Sequence, residues 1–188
     1  MLDGTGWSTT DPCRFALYGY GFVRASLPRM PVIEATTIIQ APRTRVFDLA
    51  RSIDAHVDST TGTGERAIAG VTTGLIGLNE EVTWEARHLG VRQKLTSRIT
   101  TFDRPNQFTD SMVRGAFKRM AHLHEFFDHP EGTLMKDRLE FEAPFGIFGQ
   151  AFAELYLTGY LRRFLLERNA VLKRTAESND WTRYLAPE

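Results

Sequence analysis

The chain has 188 residues, 42% hydrophobic and 24% charged, and its 23 basic side chains are balanced by 23 acidic ones. That balance fits one globular domain with its own core, and it leaves no basic excess to grip a nucleic-acid backbone or an anionic membrane. The single cysteine, Cys13, excludes an internal disulfide and a cysteine-based zinc site, and no apolar run reaches the ~18 residues of a membrane span, so a cytoplasmic protein is expected.

Residues 1–30 are rich in glycine, threonine and aromatics without a period, and read as a loosely ordered N-terminal extension. From Val32 the pattern sharpens. "VIEATTIIQ" is β-branched and reads as a strand stopped at Pro42, and "RTRVFDLARSI" spaces Val46, Leu49, Ala50 and Ile53 as a short amphipathic helix. Six further strands are expected near 65–69, 80–88, 91–102, 107–114, 117–128 and 133–143, divided by "GVTTGLIG", "LG", "DRPN", "RGA" and "DHPEG". Neighbours so closely spaced pair as antiparallel hairpins. After "APFGIFG" the apolar period becomes helical, with Phe152, Leu157, Leu161, Phe164, Leu165, Val171 and Leu172 marking a helix from about 150 to 176, about 40 Å long. The "RRF" and "ERN" segments of that helix read as a solvated edge. Residues 31–178 form the expected domain and 179–188 a C-terminal tail. The fold class is α+β, with short helices after the first strand and a curved antiparallel sheet wrapping one long C-terminal helix.

Strand parity selects an inner row. In 91–102 the odd positions are apolar or small and the even ones basic, and in 133–142 Met135, Asp137, Leu139 and Phe141 oppose Lys136, Arg138, Glu140 and Glu142. For 117–128, placing Arg119 and Glu125 outside sets them across from Glu140 or Glu142 and Lys136 or Arg138. Met120, His122, His124 and Phe126 then face in, and the short "DHPEG" connection puts one histidine opposite Asp137. The "RGAF" turn can lay Phe108, Asp110 and Met112 beside them. An inner belt of Asp110, His122, His124 and Asp137 is unusual for a plain core, because buried charge must be paired or neutralised.

The segments "IIQAPRTRVFDLA", "SIDAH", "EEVTWEARHLG", "FTDSMVRGAFKRMAHLHEFF", "EGTLMKDRLEFEAPFGIFG" and "RRFLLERNAVLK" together resemble the START-like SRPBCC superfamily over residues 31–178. The resemblance implies a helix-grip fold, a seven-stranded antiparallel sheet curved around the C-terminal helix, with a cavity for a lipid-like, polyketide or other apolar molecule. His56, Trp84, Asp110, Phe117, His122, His124 and Asp137 match a subgroup pattern that carries no assigned catalytic role.

The expected function is therefore the binding of a hydrophobic small molecule, by a monomer or weak homodimer without nucleic-acid partner, membrane insertion or cofactor. The expected ligand contacts are His56, Trp84, Asp110, Met112, Phe117, His122, His124, Asp137, Phe141, Phe152, Tyr156 and Tyr160. His56 is placed just beyond the short helix, at a gate. The alternative is a cyclase- or dehydratase-type enzyme using His122 or His124 with Asp137 or Asp110 as acid–base groups. A weaker one is a protein-interaction module. A His-x-His pair with a carboxylate can also hold a metal, but such a site needs supporting partners that the sequence does not display, and no metal is expected.

Overall fold

The computed structural model describes residues 30–186, so the expected N-terminal extension lies outside the described residues apart from Met30. The strands are β1 Val32–Ile39, β2 Arg66–Gly70, β3 Glu81–His88, β4 Val91–Asp103, β5 Gln107–Arg114, β6 Arg119–His129 and β7 Gly132–Glu142. They form one antiparallel sheet in the order β1-β7-β6-β5-β4-β3-β2, in which every pair from β2 to β7 is a sequential hairpin. Two short helices, α1 Arg43–Ala50 and α2 Ile53–Ser59, follow β1. The C-terminal helix is α3 Gly146–Phe152, a π-helical turn Ala153–Leu157, and α4 Thr158–Glu177. α4 packs against β1, α1 and α2, as the helix-grip expectation requires.

Local chemistry places these elements. Leu89 and Gly90, at φ 52° and 81°, make a two-residue turn between the paired His88 and Val91, a conformation that suits glycine. Gly132 closes the β6–β7 hairpin at φ 131°, and a Cβ there would meet Ile39 O at 2.4 Å. Ser52 caps α2 by accepting from Ala55 N at 3.2 Å. At the π-helical turn the Thr158 hydroxyl donates to Ala153 O at 2.8 Å, five residues back.

The expected parity holds: Met135, Asp137, Leu139 and Phe141 are buried on β7, and His122, His124 and Phe126 on β6. Arg119 pairs with Glu142 and Glu125 with Lys136 across the outer face. β4 departs from simple alternation. A register shift between Ile99 and Thr101 turns Phe102 inward, where its ring meets Phe47 at 5.4 Å. Phe47 of α1 also contacts Phe108 and Phe126 edge-on, at 5.4 and 5.3 Å, and is fully buried.

Two apolar clusters result. One gathers Phe47, Trp84, Phe108, Phe126, Met135 and Leu172; the other gathers Ile33, Leu139, Phe141, Ala153 and Leu165. On β6 and β7 the residues between the clusters are His122, His124 and Asp137, so the polar row divides the core. Asn179–Arg183, in the segment read as a tail, forms a 3-10 turn, and Trp181, Tyr184 and Leu185 pack on the first cluster. Arg45 lies 4.3 Å over the Trp181 ring.

Candidate functional site

Cross-strand register assembles the site. Asp110 on β5 pairs with His122 on β6, and His124 pairs with Asp137 on β7. His122 Nε2 hydrogen-bonds Asp137 Oδ1 at 3.0 Å, and His124 Nδ1 lies 2.8 Å from the same oxygen without hydrogen-bond alignment. Asn169 Nδ2, from α4, donates to Asp137 Oδ2 at 2.7 Å. The remaining imidazole nitrogens turn toward Asp110 Oδ2, at 3.9 Å from His122 Nδ1 and 3.4 Å from His124 Nε2. The two rings are 3.8 Å apart, and Phe108 stacks on His124 at 4.4 Å.

Burial opposes charge on every member of this group, and the hydrogen-bond partners decide who keeps it. For Asp137 burial works against the carboxylate, but His122 and His124 hold it well below the usual carboxylate range. Asp110 is also lowered: burial is outweighed by the imidazoles of His124 and His122. His122 is lowered by burial and by the neighbouring His124, which together exceed the pull of Asp137 and Asp110. Burial opposes protonation of His124 too, yet Asp110 and Asp137 raise it. One imidazole thus favours a proton and its neighbour does not. Because ionised Asp137 can only accept, His122 carries its hydrogen on Nε2 and leaves a lone pair on Nδ1, facing Asp110.

A second polar group sits on the other side of the cavity. His56 Nε2 lies 3.2 Å from Glu65 Oε2, and the His56 ring stacks on Trp84 at 4.2 Å. Both of those polar atoms are buried without an aligned hydrogen-bond partner. Burial raises the Glu65 carboxyl, but His56, His88 and Arg168 bring it below its usual value. His88 Nδ1 meets the Tyr160 hydroxyl at 2.8 Å. His56 lies inside α2, not beyond a short helix as expected, because Ser52 caps a second helix there. Arg168 and Asn169 correct the solvated-edge reading of "ERN": they are only 7% and 2% exposed. Arg168 donates to Ala50 O at 3.2 Å and keeps a buried Nε without a partner.

Both groups border one cavity of about 430 Å³, walled mainly by apolar side chains. Of the expected contacts, His56, Trp84, Asp110, Phe117, His122, His124, Phe152 and Tyr160 line it. Asp137 lies beneath the histidines, Phe141 is wholly buried in the core, Met112 is half-buried off the lining, and Tyr156 faces solvent. The lining residues Leu89, Phe145 and Phe152 are also exposed and mark the mouth.

Glu65, His88, Arg168 and Asn169 were not among the expected contacts. Two signals pointed to the last three. Val82, Trp84, Ala86 and His88 share one strand parity, and Leu165, Arg168, Asn169, Leu172 and Ala176 share one helical stripe. Glu65 follows a glycine-rich segment and carried no such signal.

A seven-stranded antiparallel sheet gripping a long C-terminal helix around a cavity is the helix-grip fold that the sequence resemblance implied. The chain is similar in structure to the protein TTHA0849 from Thermus thermophilus, at 20% identity and TM-score 0.64, over 78% of this chain and 97% of that one. It is similar also to a START superfamily protein from Mycobacterium smegmatis, at 12% identity and TM-score 0.59, over 78% and 97%. A third is the ginseng major latex-like protein 151 from Panax ginseng, at 16% identity and TM-score 0.58, over 79% and 99%. These likenesses establish the fold. No protein-family model and no curated protein matches the sequence. Among the described residues no helix is long and apolar enough to cross a membrane.

Proposed function

We propose that this chain binds a hydrophobic small molecule, lipid-like, polyketide-like or aromatic, in the cavity between sheet and C-terminal helix. One observation carries the reading: a cavity of about 430 Å³ has apolar walls and a few polar groups gathered at separate points. That make-up suits a ligand with an apolar body and at least one polar head. Trp84, Leu139, Leu161 and Phe164 offer the body its contacts, and the His122–His124–Asp110 floor offers the head hydrogen-bonding partners. The reading includes a monomer or weak dimer acting in the cytoplasm, the compartment in keeping with the single cysteine.

The test is titration of the full chain with a fluorescent apolar probe. Saturable one-to-one binding is expected, and Ala86→Phe, which enlarges a buried lining residue, should abolish it. His122→Gln and His124→Gln should each weaken binding of a probe with a polar head by about tenfold, the loss of one hydrogen bond. Equal binding by wild type and Ala86→Phe would sink the proposal. The opposed protonation tendencies of His122 and His124 support a second reading, an acid–base enzyme of cyclase or dehydratase type. In that case the two glutamine variants abolish turnover of an enolisable ligand while leaving its binding within about tenfold.

A further inference from the structure

We propose that Asp110, His122 and His124 form a binding site for a divalent transition-metal ion, such as zinc or ferrous iron, at the floor of the cavity. Each residue offers one ligand atom, and the three atoms lie within 4.8 Å of one another. Asp110 Oδ2 is 3.4 Å from His124 Nε2 and 3.9 Å from His122 Nδ1. An ion at about 2.0–2.2 Å from three donors at tetrahedral angles needs them about 3.3–3.6 Å apart, so small side-chain rotations close the site. Two imidazoles and one carboxylate suit zinc and iron better than magnesium or calcium.

The sequence argued against a metal because supporting partners were not visible in it. The structure supplies them. Asp137 is a single buried carboxylate set against the far nitrogens of both histidines, at 3.0 and 2.8 Å, and Asn169 holds its other oxygen at 2.7 Å. For His122 that is the arrangement by which a carboxylate orients a metal-bound imidazole and fixes its tautomer, and the same carboxylate oxygen lies beside His124 Nδ1. It turns His122 Nδ1 and His124 Nε2 toward Asp110, whose side chain keeps one-fifth of its surface exposed while lining the cavity. The remaining coordination positions therefore face the lumen, where an oxygen of a bound molecule can complete the shell.

Charge points the same way. Asp110 and Asp137 set two carboxylates against His122 and His124 at the cavity floor, and Arg168 is the only buried arginine or lysine among the described residues. A divalent ion offsets those two negative charges at once. The proposal does not depend on the binding function above: a chain that takes up an apolar probe but no metal fails this inference alone.

The experiment is titration of the untagged, chelator-stripped full chain with Co(II) and Zn(II). One Co(II) per chain is expected, with visible d–d absorption, and Zn(II) should displace it and raise Tm. In wild type, Zn(II) should shift the imidazole ¹⁵N resonances of His122 at Nδ1 and His124 at Nε2, which identifies the ligands even if substituted chains fold poorly. Asp137→Asn should keep the Co(II) spectrum but bind about 10–100-fold more weakly. Glu65→Gln should retain one Co(II) per chain. Absence of stoichiometric Co(II) and Zn(II) binding overturns the proposal. So does binding that leaves both imidazole signals unmoved.

Discussion

Two buried charge groups in this molecule solve the same problem differently. At one end Asp48 of α1 is held by Arg104, whose Nη2 donates to Oδ2 at 2.7 Å, and by Arg51, whose Nε donates to Oδ1 at 2.8 Å. Arg51 then donates onward to Ile76 O at 3.1 Å. One carboxylate faces two permanent cations, and both its oxygens are satisfied. At the cavity floor Asp110 and Asp137 face two imidazoles, whose charge depends on pH, and His124 Nδ1 and the Arg168 Nε remain without aligned partners. Permanent, fully satisfied charge is what a scaffold uses. Titratable, partly satisfied charge beside a cavity marks a place where a bound molecule, proton or ion completes the set.

Substitutions can break that contrast in order of size. Asp137→Ala removes the acceptor of His122 and Asn169 and the negative charge beside His124, and should cost about 3–5 kcal/mol in urea unfolding. Asp48→Ala removes the carboxylate shared by Arg51 and Arg104, but Arg51 keeps Ile76 O and Arg104 is already 44% exposed, so about 2 kcal/mol is expected. Arg104→Gln leaves Arg51 in place and should cost under about 1 kcal/mol. If the Asp137 and Asp48 variants lost equal stability, the cavity floor would be a scaffold like the other group.

The pH dependence should separate the groups further. Burial raises the Asp48 carboxyl, but Arg104 and Arg51 lower it below 3.8 overall. Its contribution is thus present above 3.8 and lost as pH falls through the folded-state value. Asp48→Asn should remove its share of the acid limb and leave the share that Asp110 and Asp137, also lowered, contribute. His124 is raised above 6.5, so its contribution in metal-free protein is complete below 6.5 and lost as pH rises through the folded-state value. His124→Gln should remove an alkaline slope and leave the Asp48 limb intact, and urea midpoints at successive pH values read both.

Much of this was legible in the sequence where a period and a charge pattern agreed. Parity placed His122, His124 and Asp137 in one inner row, and the outer pairs Arg119–Glu142 and Glu125–Lys136 set its register. Parity could not foresee the irregularity between Ile99 and Thr101 that turns Phe102 inward, since a bulge leaves no alternation signal. Arg168 and Asn169 were misread because polar type was weighed above helical position, although both lie on the stripe of Leu165 and Leu172. The group of His56, Glu65, His88 and Tyr160 joins α2, a loop, β3 and the C-terminal helix, and only the closed fold brings them together.

The most direct measurement of the central claim is native mass spectrometry of the full chain as purified, beside the Ala86→Phe variant. A small apolar molecule bound one-to-one to wild type and absent from the variant is the expected result. A wild-type chain that carries no such molecule and takes up none when offered apolar candidates, or a variant that binds them equally, would contradict it.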